Sequence, residues 1–174
     1  MMQKLNHALQ FAKRKHTGQT RRIKGEPYVE HCKRVAYTVS FYTEKLDVII
    51  AALLHDTLED TPTRREELGA EFGTEVANLV YALTNDTEEM KRLGGKRAYL
   101  AQKINTLSLD ELLIKLADRV DNVQDLSHDA WSRKYCEETR YVFLNTLDRT
   151  GLTGAHLDLL GRIQRQVIQC ESRS

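Results

Sequence analysis

Apolar residues recur every three to four positions along most of this chain, and the two-residue alternation of a half-buried strand is hard to find. Leu5, Ala8, Leu9 and Ala12 fall on one face and predict a first helix over Leu5–Lys15 with those residues inward. His16 to Glu26 is polar, contains Gly18 and Gly25, and reads as a loop. Pro27 suits the first position of a helix, where its missing N–H costs nothing, and opens a helix over Tyr28–Tyr42. Asp47 is placed to cap a helix from Val48 to about Leu58. That helix is apolar over nearly all its turns, which predicts the buried central element. Thr61-Pro62-Thr63 ends it, and Thr63 with Glu66 has capping-box spacing for the next helix. Gly73-Thr74 begins another, with Val76, Leu79, Val80 and Leu83 inward.

Asn85 to Gly95 is charged, holds two glycines and lacks periodicity, so it reads as a loop or lid. Helical pattern resumes over Lys96–Ile104, Asp110–Leu126, Trp131–Leu147 and Leu157–Gln169. Trp131 and the helix after it read as core packing. No repeat, low-complexity tract or linker interrupts the chain. The expectation is one all-α domain over residues 1–174, a bundle of roughly eight to nine helices of ordinary length.

Composition narrows the function classes. Hydrophobic residues make up 41% and charged residues 29%, as in a soluble globular protein. The formal net charge of +1 speaks against wrapping a nucleic acid polymer or lying on an anionic membrane, but allows a local basic pocket for one small anion. Cys32, Cys136 and Cys170 show no CxxC pairing and read as free thiols in a reducing cytoplasm. The longest apolar run, Val48 to Leu54, is too short to span a bilayer, and the polar N-terminus has no leader pattern. A cytoplasmic protein acting on a small molecule is predicted.

The most apolar segment finishes in His55-Asp56, and a buried helix rarely ends in two ionisable residues unless they have partners. If the helix persists, Glu59 lies one turn after His55 and Asp60 one turn after Asp56. Carboxylates so crowded are costly without a cation. Asp118 sits in a second apolar frame, Leu112, Leu113, Ile114, Leu116 and Val120, with Asn122 one turn beyond. His31 lies in the helix after Pro27, between Val29 and Val35. Three separate helices thus offer imidazole nitrogen or carboxylate oxygen, donor types suited to a first-row metal ion. Any one of these residues alone reads as an ordinary polar side chain; the combination points to metal.

The ordered series His31, His55-Asp56, Asp118 resembles the H…HD…D pattern of the HD-domain phosphohydrolases. The likeness extends to Gly18-Gln19, Arg21-Arg22 and Gly25-Glu26-Pro27-Tyr28, which resemble the start of the hydrolase domain of RelA/SpoT-type alarmone enzymes. Residues 51 to 61, AALLHDTLEDT, are similar to that family's central signature. Phe72-Gly73 and Val76 match its next helix, and residues 115 to 122, KLADRVDN, its last block. The chain stops where such an enzyme would begin its synthetase domain, so it resembles the stand-alone small alarmone hydrolases, the metazoan SpoT homologue among them. It departs from the family at Cys32, where proline is usual, at Asp121, where histidine or tyrosine is commoner, and in a slightly longer loop over Arg21 to Lys24.

The resemblance implies removal of the 3′-diphosphate of (p)ppGpp, giving GDP or GTP and pyrophosphate, with one Mn²⁺ held by His31, His55, Asp56 and Asp118. Glu59 would orient or deprotonate the attacking water, and Asp60 would support it or protonate the leaving 3′-oxygen. Arg21, Arg22 and Lys24 form a basic loop suited to phosphate contact or purine stacking, and Asn122, Asp125 and Tyr141 are candidates for the nucleotide pocket. Thr139 is a weaker one. Lys91, Arg92, Lys96 and Arg97 flank the candidate lid and could gather 5′-phosphates. The alternatives are a hydrolase of ppApp or another phosphorylated nucleotide on the same metal site, and a catalytically idle alarmone-binding module. His7, His16, His128 and His156 have no ligand-like company in sequence.

Overall fold

The computed structural model describes residues 2–124, 126 and 129–172. Its regular structure is helical, apart from one isolated antiparallel bridge between Thr20 and Pro27. Among the described residues there are nine α-helices of eight residues or more, two shorter ones and one π-helical segment, so the all-α expectation is borne out. The chain divides into two compact units, Met1–Asn85 and Asp86–Ser174.

The first unit contains α1 (Met2–Lys15), α2 (Tyr28–Ser40), α3 (Leu46–Leu54), α4 (Thr57–Asp60), α5 (Arg65–Phe72) and α6 (Thr74–Leu83). α3 packs against α1, α2 and α6, which makes the most apolar segment the centre of this unit. Val48 and Ile50 to Leu54 are buried. On α1 the buried face is Ala8, Phe11 and Ala12, while Leu5 and Leu9 are only half-buried. The Phe11 ring meets Phe72 edge-on at 5.2 Å, and its larger area takes the middle of the contact.

Several boundaries differ from those predicted. Pro27 precedes the helix as its N-cap rather than opening it, because it is engaged in the bridge with Thr20. Lys45, not Asp47, occupies the N-cap position of α3 and makes no side-chain cap bond, and Asp47 lies in the first turn, where its charge suits the helix dipole. α3 stops at Leu54 instead of running to Leu58. The Thr57 hydroxyl donates to the Leu54 carbonyl at 2.7 Å and His55 Nδ1 donates to the Ala52 carbonyl at 2.8 Å, so side chains satisfy the last turn in place of the backbone ladder. The Thr63–Glu66 capping box does not form: the Thr63 hydroxyl is engaged with Thr61 at 2.6 Å, and α5 starts after Arg64 without a side-chain cap.

The second unit contains α7 (Thr87–Arg92), α8 (Lys96–Thr106), α9 (Leu109–Gln124), α10 (Ala130–Thr139), the π segment Arg140–Asn145 and α11 (Gly154–Glu171). α11 packs on α9 and α10, burying Leu159, Ile163 and Val167 at four-residue spacing. α7 lies inside the stretch expected to be a loop. Asp86 caps it by accepting from the backbone N–H groups of Glu88 and Glu89, with acidic residues in the first turn and basic ones in the last. This helix is specified by its caps rather than by an apolar stripe, so periodicity missed it. The helix expected over Trp131–Leu147 instead changes to π geometry at Arg140, which buries Val142 and Phe143 together. Trp131 is not core: it is 36% exposed and stacks on Tyr135 at 5.2 Å. No helix among the described residues is long and apolar enough to cross a membrane.

Candidate metal centre

In the first unit, α2 carries His31 and the turn after α3 carries His55 and Asp56. Both imidazoles are at least 97% buried, and their rings lie 5.2 Å apart. His55 Nε2 is 2.9 Å and His31 Nε2 3.6 Å from the same oxygen, Asp56 Oδ2. With Nδ1–H donated to Ala52, a neutral His55 ring presents its lone pair at Nε2. A lone pair and a carboxylate oxygen 2.9 Å apart demand positive charge between or beside them, which a proton or a metal ion supplies. The donor chemistry fits a divalent ion.

The Tyr28 hydroxyl donates to that same Asp56 oxygen at 2.7 Å. Behind it, the Tyr28 ring stacks on His16 at 4.9 Å. His16, itself buried, donates from Nδ1 to Gln19 Oε1 at 2.7 Å, and the Gln19 amide donates to the Asp60 carbonyl at 2.7 Å. Tyr28, His16 and Gln19 therefore buttress the Asp56–Asp60 segment, a role that sequence reading missed for all three. The contacts span up to 41 residues, beyond what helical periodicity reports.

Asp60 remains one turn from Asp56, its N–H bonded to the Asp56 carbonyl at 2.9 Å. Partial burial, and then the Asp56 and Glu59 carboxylates, hold the Asp60 carboxyl above its ordinary value of 3.8, against the nearby Tyr28 hydroxyl and His16. Ionising Asp60 thus costs more in the folded than in the unfolded chain. The penalty is present above the raised value and absent below 3.8. In the metal-free protein, Asp60→Asn is expected to raise stability at pH 7, with the gain vanishing in strong acid. Because Asp60 is more than a third exposed, solvent keeps the gain small. Urea denaturation of both proteins across pH measures it. Glu59 turns to Asn85, whose backbone N–H and side-chain amide donate to its two oxygens at 3.1 and 3.0 Å.

The basic loop is a tight reversal closed by the Thr20–Pro27 bridge, with the Arg21 N–H donating to the Glu26 carbonyl at 2.8 Å and Gly25 at a φ of 65°, where a side chain would be strained. Arg22 and Lys24 are exposed at its tip, and Arg21 is half-buried with its guanidinium 5.8 Å from the Tyr28 ring centre.

In the second unit, α9 buries Asp118, which receives the Asn122 amide on Oδ1 at 2.5 Å and faces Lys115 at 3.3 Å through Oδ2. Next to it, the buried Arg119 guanidinium lies over Tyr135 at 4.5 Å and Phe143 at 4.7 Å and donates to the Thr139 hydroxyl at 3.0 Å. Burial pushes the Tyr135 phenol up to about 12. Thr139 is buried here as a structural partner of Arg119. Tyr141 is covered by the Arg97 guanidinium, 3.8 Å from its ring centre. Asp125 and His128 lie outside the described residues. His156 is buried in the capping box of α11. His31, His55 and Asp118 are all buried, and imidazole with carboxylate is the donor chemistry of a divalent metal centre.

A family model for the HD domain matches residues 8–152, most of the chain. The chain belongs to the HD-domain family. This HD-domain chain is 36% identical over 140 residues to the human guanosine-3′,5′-bis(diphosphate) 3′-pyrophosphohydrolase MESH1, the match covering 77% of each protein. It is 35% identical over 155 residues to an Aquifex aeolicus protein named as a guanosine-3′,5′-bis(diphosphate) 3′-pyrophosphohydrolase, of whose length it spans 22%. A solved structure of a metazoan ortholog of SpoT that hydrolyses ppGpp aligns with a TM-score of 0.77 at 32% identity over 94% of both chains. The expected likeness to the stand-alone small alarmone hydrolases is borne out.

Proposed function

We propose that this chain is a metal-dependent pyrophosphohydrolase that removes the 3′-diphosphate of (p)ppGpp, acting as a single HD-type hydrolase domain over residues 1–174 in the cytoplasm. The observation that carries this reading is the convergence of the buried His31 and His55 on the half-buried Asp56, next to the Glu59-Asp60 pair. The names of the human and metazoan relatives supply the substrate class.

His31, His55, Asp56 and Asp118 would hold one Mn²⁺, which when bound lowers the pKa of a water and offsets charge on the attacked phosphate. The rest falls to the chain's own groups. Glu59 orients the water and takes its proton as the oxygen bonds to phosphorus. The bond from phosphorus to the 3′-oxygen breaks, and Asp60, which burial and neighbouring carboxylates favour in its protonated form, gives that oxygen a proton. Pyrophosphate and GDP or GTP leave, and the two carboxyls exchange protons with solvent. Arg21, Arg22 and Lys24 are the candidates to meet the base or the phosphates, and Asn122, Asp125 and Tyr141 remain candidates for contact with the nucleotide.

Chromatography of ppGpp and ppApp incubated in parallel with the Mn²⁺-loaded protein tests the substrate. Faster loss of ppGpp, with GDP appearing, is expected. Faster loss of ppApp would overturn the guanine assignment, and loss of neither would overturn the hydrolase reading.

A further inference from the structure

Glu59 sits on the four-residue α4, which has no side-chain cap, and the residue is exposed. A glutamate in that setting samples several rotamers unless something holds it. Asn85 holds it from 26 residues away. α6 ends at Leu83 and is followed by its C-cap Thr84, whose N–H and hydroxyl both return to the Val80 carbonyl at 3.1 and 2.9 Å. That closure turns the chain into extended backbone, and the next N–H, from Asn85, donates to Glu59 Oε2 at 3.1 Å. The Asn85 side-chain amide donates to the other oxygen, Oε1, at 3.0 Å. One residue thus supplies a neutral fork to both carboxylate oxygens. The fork has a sense: rotating the amide would set Oδ1 against Oε1, acceptor against acceptor.

We propose that Asn85 is a positioning residue for the hydrolysis, fixing the Glu59 carboxylate in one orientation through its paired N–H groups. The inference rests on the hydrolase reading above. Asn85 carries out no proton transfer itself; its contribution is that Glu59 is already aligned when the water arrives. Misplacing a reacting group by about an ångström costs on the order of a hundredfold, whereas losing a purely structural bond would lower stability and leave turnover of the folded protein intact.

Two variants separate these outcomes. Asn85→Ala removes the side-chain donor and keeps the backbone one. Asn85→Asp keeps the shape but sets a third carboxylate against Glu59. The expected result is a fall in kcat of roughly tenfold to a hundredfold for Asn85→Ala, and a larger fall for Asn85→Asp. KM for ppGpp should stay within about twofold, since the interaction matters in the transition state and not in substrate binding. Mn²⁺ affinity, measured by calorimetry with the metal alone, should stay unchanged in both, and Asn85→Ser, which retains a short donor, should recover part of kcat. Wild-type turnover with kcat preserved in both variants would overturn the inference alone. So would a KM rise or a lost melting transition that accounts for the whole loss of rate. A wild-type protein that releases no pyrophosphate would overturn the hydrolase reading, and this inference with it.

Discussion

Glu59→Gln is expected to lower kcat by roughly a thousandfold, the middle of the range for removing a general base, with Mn²⁺ binding retained. Glutamine matches glutamate in size but cannot take a proton at neutral pH, so in the proposed mechanism the attacking water would lose its acceptor. The substitution also disturbs the fork, because one of the two Asn85 donors then meets an amide N–H instead of an oxygen. The metal donors proposed here are untouched: Asp56 keeps Tyr28, and His55 keeps Ala52. Single-turnover kinetics beside calorimetry with Mn²⁺ alone therefore give opposite results, rate lost and affinity kept. Unchanged kcat would remove Glu59 from the reaction and leave Asp60 as the remaining carboxylate of the pair.

His55→Ala has an effect of similar size for a different reason. Two functions are lost together, the Nε2 donor 2.9 Å from Asp56 and the Nδ1 bond that closes the last turn of α3. The metal's contribution of several kcal/mol to charge stabilisation corresponds to a loss of roughly a thousandfold or more in rate at 1.36 kcal/mol per tenfold. A second readout needs no substrate. Under the proposed function Mn²⁺ would bind the folded wild type and not the unfolded chain, so it is expected to raise the melting temperature with concentration; in His55→Ala that rise should disappear. His55→Ala is also less stable than wild type without metal, because truncating a buried side chain leaves a gap beside α2. A Mn²⁺-dependent rise that survives the substitution would exclude His55 as a ligand.

The pattern of the sequence made the helices readable and singled out the candidate metal donors, and for physical reasons it left their surroundings dark. His55-Asp56 stood out because ionisable residues at the end of so apolar a segment need partners. The face of α6 was legible because Val76, Leu79, Val80 and Leu83 repeat at helical spacing and are all buried. Where caps outweigh periodicity, as in α7 with Asp86, the pattern was silent. Where two caps competed it misled: Thr63 was spaced for a capping box, but Thr61 holds its hydroxyl. The switch to π geometry at Arg140 has no local signature, because it answers to how Val142 and Phe143 are buried. The residues that hold the carboxylates in place, Tyr28, His16, Gln19 and Asn85, act across long stretches of chain, and each looks unremarkable among its sequence neighbours. Only the family resemblance, which included Gly18-Gln19 and Pro27-Tyr28 in its matched block, hinted that part of this support belonged to the site.

The most direct measurement is pyrophosphate release from ppGpp by the purified protein with Mn²⁺, with and without a chelator. Stoichiometric pyrophosphate and GDP, appearing only while the metal is available, is the predicted result. Intact ppGpp in the presence of saturating Mn²⁺, or equal release after chelation, would contradict a metal-dependent hydrolase.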